Sequence, residues 1–264
     1  MGPSDAHAGR MPASGRPRAA ATAAGPAAGA AAQLLLLALL TAATGLGSLG
    51  WIAGSAYAVV LGGLLTRALY RDGHRGMRPA DRVTLARAVL VGGVTALVAD
   101  EVTGRPLEGA VLGALVVLAA AALALDGVDG LVARRTGTTS RLGARFDMEV
   151  DAFLILVLSA HVAVHLGAWV VAIGAMRYAF AAAAALAPWL RGDLPPSTAR
   201  KAVAVAQAGA LIAAAADLVP HSVATAVVAG ALALLVWSFG RDVGWLWRTR
   251  SARVRTGPDT NREG

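Results

Sequence analysis

The sequence contains no cysteine and only 5% aromatic residues. The lack of cysteine excludes disulfides, thiolate metal sites and a cysteine nucleophile. Charged residues are scarce at 15%, and the alternation of polar and apolar residues that a membrane barrel needs is missing. Instead, 56% of the residues are hydrophobic and fall into runs of about 18 or more, long enough to cross a bilayer as helices. We therefore predict an all-α polytopic membrane protein.

Eight transmembrane helices account for these runs. We expect them near residues 31–48, 51–69, 83–100, 107–133, 142–166, 168–189, 200–217 and 221–240. The predicted organisation is a disordered tail (1–30), an extra transmembrane hairpin (31–70) that turns at GLGSLG, a six-helix core (78–241) and a basic polar tail (242–264). A signal peptide is a weaker interpretation of the N-terminus, because the apolar run is too long and continues into a second run.

The net charge of +8 reflects topology rather than a nucleic-acid partner. The basic residues lie in loops between apolar runs, chiefly 70–83, 134–145 and 190–201, and in the C-terminal tail. The opposite loops hold Asp100, Glu101, Glu108, Asp217 and a single Arg105. The positive-inside pattern predicts a protein of the cell membrane with both termini in the cytoplasm. The lack of an internal repeat argues against a two-fold transporter architecture.

The most charged stretch inside the apolar region is DGVDGLVARRTGTTSRLGARFDMEVD, residues 126–151. Asp126 and Asp129 are three residues apart, and Asp147 and Asp151 are four apart, so each pair shares one face of a helix. Only the short loop RTGTTSR separates the two helices, so we expect antiparallel neighbours whose aspartates face each other. The sequence offers no other charge partner sufficient for four carboxylates. Loop aspartates that only neutralised the neighbouring arginines would not need to share one face of a helix.

The surrounding residues indicate what the carboxylates hold. Mg²⁺ and Mn²⁺ prefer hard oxygen ligands, and Mg²⁺ is commonly bound by a few carboxylates together with substrate phosphates. Gly130 and Gly143 remove side chains where a ligand comes close. Arg134 could donate two hydrogen bonds to a phosphate. The stretch therefore predicts a site for a divalent cation and a lipid-borne diphosphate at the cytoplasmic edge of the membrane.

The complete pattern resembles the signature of the CDP-alcohol phosphatidyltransferases in every fixed position. It reads Asp126-x-x-Asp129-Gly130-x-x-Ala133-Arg134, then eight residues, then Gly143-x-x-x-Asp147-x-x-x-Asp151. The resemblance implies a six-helix core and transfer of a substituted phosphate, usually phosphatidyl, from a CDP-linked lipid to an alcohol, with release of CMP. It also implies that the four aspartates surround the metal ions, with Asp151 as the general base, and that Gly130, Ala133, Arg134 and Gly143 line the CDP site.

A second, weaker similarity precedes the core. Family members often carry Asn-x-x-Thr-x-x-Arg there, and this chain has Asp81, Thr84 and Arg87. Asp81 replaces an amide donor with a charge, so its nucleotide contact is in doubt. Thr84 is still expected at the CDP donor. Arg87 is either a nucleotide contact or a positive-inside anchor.

Basic residues further along the chain suggest an acceptor site. Arg177 interrupts an apolar helix, and an arginine inside a membrane is a functional candidate. In the family an arginine near this place helps to hold a phosphorylated acceptor, and Arg200 and Lys201 could join it. The alternatives are a structural ion pair for Arg177 and a topological role for the other two.

His161 and His165 are four residues apart, but a metal role is disfavoured because they lie far from the aspartates and lack an evident third ligand.

Two other function classes remain open. An intramembrane prenyltransferase also uses aspartates, Mg²⁺ and a lipid diphosphate, although its motifs are spaced differently. A cation transporter could use the aspartates as ion sites. A homodimer is one oligomeric state that we consider for this chain. The motif does not specify the acceptor alcohol.

Overall fold

The computed structural model describes residues 16–71, 79–136, 141–192, 194–195 and 197–255, with side chains between 25 and 250 outside 68–80, 128–142, 193 and 196. The described residues form eight α-helices, with two short 3₁₀ turns at Ala168–Val170 and Pro188–Arg191, and no strand. The helices are α1 (Arg16–Thr44), α2 (Ser48–Arg71), α3 (Pro79–Glu101), α4 (Gly109–Thr136), α5 (Arg141–Leu166), α6 (Val171–Leu186), α7 (Thr198–Ala215) and α8 (His221–Arg255).

The all-α fold and the order of the eight helices agree with the prediction, but two helix ends do not. Helix α1 begins at Arg16, within the predicted tail, and α8 continues to Arg255, well past residue 242. Both expectations assumed that a helix extends only as far as the apolar run. Residues 16–30 are rich in alanine, the best helix former, and helix propensity does not require an apolar sequence. Leu246, inside the predicted tail, is buried.

Seven of the eight described helices are long and apolar enough to cross a membrane, so the chain is a multi-pass membrane protein. The exception is α7, which has 18 residues and carries Arg200 and Lys201 in its first turn. Ser197 caps this helix by accepting a hydrogen bond from the backbone N–H of Arg200 at 3.4 Å. The short capped helix packs mainly against α8.

Helix α3 is the centre of the bundle and the most buried of the seven spans. It packs extensively against α1, α2, α4 and α5, and Ala88, Val91 and Val94 are completely buried. A side chain at Gly92 would clash with Gln33 of α1, so the glycine allows the two helices to approach closely. Small residues at helix contacts are the usual solution where lipid supplies no hydrophobic drive. The helix that precedes the aspartate motif is thus held rigidly on all sides.

Hydrogen bonds connect α1, α2 and α3 at one end of the bundle, which we call the far end. Asp100, at the end of α3, accepts hydrogen bonds from the backbone N–H of Gly47 at 2.9 Å and from Arg105 at 3.1 Å. Arg105 also donates to the carbonyl oxygen of Gly45 at 2.6 Å. Gly45 has a φ of +68°, in the left-handed region that glycine adopts without strain. The α1–α2 hairpin is therefore tied to the end of α3.

Candidate functional site

Three aspartates meet one buried arginine at the opposite end of the bundle. Arg87, in the third turn of α3, is completely buried. Its Nη1 donates to Asp126 Oδ1 at 2.9 Å and to Asp147 Oδ1 at 2.5 Å, and its Nη2 donates to Asp151 Oδ1. We call these four side chains the aspartate cluster. Three negative charges surround one positive charge, so the cluster as it stands carries an excess of negative charge.

Three helices supply the aspartate cluster. Asp126 comes from α4, Asp147 and Asp151 come from successive turns of α5, and Arg87 comes from α3. The aspartates of α4 and α5 meet as expected, since ligand oxygens of Asp126, Asp147 and Asp151 lie within 4.8 Å of one another, but the two helices are not close neighbours in the described part of the chain. Helix α3 packs against both, whereas α4 and α5 contact each other little. The carboxylates converge because the Arg87 guanidinium can donate to several acceptors at once.

The exposure of the carboxylates separates this cluster from an ordinary buried ion pair. The side chains of Asp126, Asp147 and Asp151 are 39%, 35% and 42% exposed, whereas Arg87 is fully enclosed. One ligand oxygen from each aspartate lies within 4.8 Å of the others. Oxygen ligands at such separations suit Mg²⁺ or Mn²⁺, which bind carboxylates and keep open positions for water or phosphate. The donor set therefore fits a hard divalent cation.

The remaining donor-site predictions divide into those the structure can place and those it cannot. The side chains of Asp129, Ala133 and Arg134, and the surroundings of Gly130, lie outside the described residues. Gly143 lies one turn before Asp147 on α5. On α3, Asp81 and Thr84 are both buried and precede Arg87 at intervals of three residues, so the weaker motif and the aspartate cluster share one helix.

The three predicted acceptor residues do not form one cluster through their described contacts. Arg177 of α6 donates from Nη2 to Glu149 Oε1 of α5 at 2.5 Å. Arg200 pairs with Asp242 of α8 at 3.2 Å and also donates to the carbonyl oxygen of Pro195. Lys201 is exposed. Each arginine thus has a carboxylate partner on a different helix.

An apolar cavity of about 570 Å³ adjoins the aspartate cluster along α5. Phe146 and Val150 line it, and they alternate in sequence with Asp147 and Asp151. Helix α2 forms the opposite wall, which includes Tyr57, and the Tyr57 ring stacks on Phe153 with 5.2 Å between centroids. Arg145 and Glu149 add charged groups to the lining. The cavity can accommodate an apolar chain beside the carboxylates.

Sequence reasoning missed two contacts, both made by α3. It assigned Arg87 to a nucleotide or to topology, whereas Arg87 is the cation inside the aspartate cluster. It also expected no third ligand near His161 and His165, which is wrong, because Glu101 lies beside both histidines. Glu101 and Arg87 are distant in sequence from their partners, so only an expectation of how α3 packs could have found them. The unusual charge of Arg87 in an apolar helix was the available signal.

Comparison with known proteins supports one family. Residues 77–237 match the family model described as CDP-alcohol phosphatidyltransferase, which is more than half of the chain. The match covers α4 and α5, and it leaves out α1 and α2. No curated protein and no solved structure matches the chain.

Proposed function

Because the chain belongs to the CDP-alcohol phosphatidyltransferase family, a family of membrane transferases, we propose that it moves a phosphatidyl group from a CDP-linked lipid such as CDP-diacylglycerol to an alcohol and releases CMP. The observation that carries this proposal is the convergence of Asp126, Asp147 and Asp151, from two helices of the matched region, with ligand oxygens within 4.8 Å of one another.

Mg²⁺ or Mn²⁺ is the proposed cofactor, held by Asp126, Asp129 and Asp147 with Asp151 beside them. A bound divalent cation would neutralise charge on the donor diphosphate. Arg87 supports the same arrangement from behind, because its hydrogen bonds fix one oxygen of each of three aspartates. The exposed remainder of each carboxylate is left for the cation and the substrate. The hydrogen bonds from Arg87 thus explain how three like charges can be held together before the cation and the substrate bind.

In the proposed reaction the acceptor hydroxyl oxygen attacks the phosphorus that carries the lipid. A new P–O bond forms to the alcohol, the P–O bond to CMP breaks, and the bridging oxygen leaves with CMP. Asp151 takes the hydroxyl proton as general base. Asp151 lies one turn beyond Asp147 on α5 and is 42% exposed, which supports a position that an acceptor can reach. Thr84, Gly130, Ala133, Arg134 and Gly143 are the proposed contacts of the CDP group.

The cavity supports a lipid donor. Its lining is mostly apolar, and it lies beside the turn of α5 that carries Asp147 and Asp151. An acyl chain placed there would leave its diphosphate near the carboxylates. Seven of the fourteen lining residues belong to α2, so we propose that the extra hairpin serves the lipid part of the donor, although it is outside the family match.

A phosphorylated acceptor is the proposed second substrate, bound by Arg177 with Arg200 and Lys201. The Arg177–Glu149 pair is 36% and 59% exposed, so neither side chain is enclosed by the protein. A phosphate dianion could therefore approach Arg177 and displace Glu149 from it. Glu149 also lines the cavity proposed for the lipid, so the Arg177–Glu149 pair lies beside the proposed donor site.

The aspartate cluster is proposed to face the cytoplasm in the cell membrane. The loops at its end of the bundle, such as 190–201, are basic, whereas the far end carries Asp100, Glu101 and Asp217 with Arg105. Positive loops remain on the cytoplasmic side. Both termini would then be cytoplasmic, and a soluble CDP head group and alcohol would reach the cluster from that side.

Release of CMP from CDP-diacylglycerol by the purified protein, with Mg²⁺ or Mn²⁺ and a panel of alcohols and phospho-alcohols, tests this function. We expect CMP only when a cation, the donor and one class of acceptor are all present. A protein that releases no CMP with any member of the panel would contradict the proposal. Undiminished activity in excess chelator would contradict only the metal.

A further inference from the structure

A second group of ionisable side chains lies at the far end, where no step of the proposed reaction takes place. Glu101 ends α3, and His161 and His165 occupy successive turns at the end of α5. His161 Nδ1 lies 2.8 Å from Glu101 Oε2, and His165 Nε2 lies 3.3 Å from Glu101 Oε1. At 1.5 Å per helical residue, Glu101 is about 21 Å from Arg87 along α3. The two groups are therefore separate sites.

Burial makes this group more than a surface ion pair. The side chains of Glu101 and His161 are only 4% and 1% exposed, and a buried carboxylate needs a compensating charge. Among the described residues, Glu101 has no arginine or lysine partner; Arg105, the nearest in sequence, binds Asp100 instead. Two imidazoles are thus the charged or polar side chains that face this carboxylate.

The spacing of the ligand atoms matches a small transition-metal ion. A tetrahedral Zn²⁺ has bonds of about 2.0–2.1 Å to nitrogen and oxygen, so its ligand atoms lie about 3.3 Å apart. The three side chains each offer one ligand atom within 4.8 Å of the others. His165 is 57% exposed, which leaves a path for the ion and room for water. A set of two imidazoles and one carboxylate suits zinc rather than magnesium.

We propose that Glu101, His161 and His165 bind one Zn²⁺ or a similar transition-metal ion at the far end of the bundle. The ion would compensate the buried charge of Glu101 and link the end of α3 to the end of α5. It would be independent of the cation at the aspartate cluster, because the two ligand sets share no residue and prefer different metals.

Titration with Co²⁺, followed by visible absorption, tests the site in the whole chain purified in detergent through a tag that contains no histidine. We expect one Co²⁺ per chain with a tetrahedral spectrum that Zn²⁺ removes and Mg²⁺ does not. Glu101→Gln and His165→Ala should weaken binding by about tenfold or more, since each removes one ligand of three. His221→Ala is the matched control, because His221 lies at the same end but contributes only an imidazole near the His165 carbonyl oxygen at 3.4 Å.

His165→Ala alters an exposed side chain and should fold, which its melting temperature without metal would verify. Asp147→Asn identifies any Co²⁺ that binds at the aspartate cluster. A protein with no tetrahedral Co²⁺ spectrum, a spectrum unchanged in both ligand variants, or a spectrum lost only in Asp147→Asn would overturn the proposal. In those cases Glu101 and the histidines form a hydrogen-bonded ion pair and nothing more.

Discussion

Two ionic groups connect α3 to α5, and they differ in which kind of side chain is in the majority. At the aspartate cluster, three partly exposed carboxylates surround one buried arginine. At the far end, one buried carboxylate faces two imidazoles. The first group has spare acceptors open to a ligand, whereas the second has spare nitrogen ligands around a single charge. The exposed side chains are aspartates at one end and His165 at the other. The type of the exposed side chains, rather than the number of charges, therefore indicates which chemistry each end can support.

The largest expected effect comes from removing one spare carboxylate. Asp147→Asn preserves the shape of the side chain but removes its charge, and we expect CMP release to fall at least about 100-fold, because a metal ion supplies several kcal/mol of charge stabilisation. The CMP-release assay of the purified variant measures this. Asp217→Asn makes the same substitution at an exposed far-end position and should retain full activity. Equal activity in the two variants would remove the distinction between the ends.

Removing the central cation should weaken the fold itself. Arg87→Met leaves three carboxylates uncompensated, and because these are 35–42% exposed the loss of stability should be smaller than the roughly 3–5 kcal/mol typical of breaking a fully buried ion pair. We expect a lower melting temperature in detergent. Mg²⁺ or Mn²⁺ should raise the melting temperature of the variant more than it raises that of the wild-type protein. Arg82→Met, on an exposed position of the same helix, is the control. A variant as stable as this control would show that Arg87 does not hold the cluster together.

A smaller effect is expected where Arg177 meets Glu149. If Arg177 binds an acceptor phosphate, Arg177→Ala should raise the acceptor KM by about tenfold, since a charge-assisted hydrogen bond is worth about 1.5–3 kcal/mol. The KM for the CDP donor should change little. Glu149→Gln frees Arg177 and should leave the acceptor KM unchanged or lower it. If both variants behave alike, or if the preferred acceptor carries no phosphate, Arg177 and Glu149 form a structural pair only.

Labelling distinguishes the two ends with the least disturbance of activity. Val102, exposed in the far-end loop, and Thr198, at the exposed start of α7, can each be replaced by cysteine in this cysteine-free chain. An impermeant thiol reagent added to intact cells should label Val102→Cys and spare Thr198→Cys. The reverse pattern would place the aspartate cluster outside the cytoplasm.

The fold was largely predictable because membrane helices are long, apolar and separated by charged loops. The same reasoning misplaced the ends of α1 and α8, where helices continue into sequence that a bilayer does not require to be apolar. At the site, the convergence of Asp126, Asp147 and Asp151 followed from helical phase and a short loop. The contribution of Arg87 and Glu101 did not, because each lies about 40–65 residues from its partners and depends on α3 packing between α4 and α5.

Because the two ionic groups occupy opposite ends of the same helix pair, they also restrict how α3 and α5 can move. A sliding or shear motion of one helix past the other would have to break the contacts of Arg87 and of Glu101 at the same time. Shear between packed helices is a common way to open a site. In this protein, access for a lipid would then come from displacement of the walls around the pair, of which α2 and α6 line the cavity without carrying a member of either group.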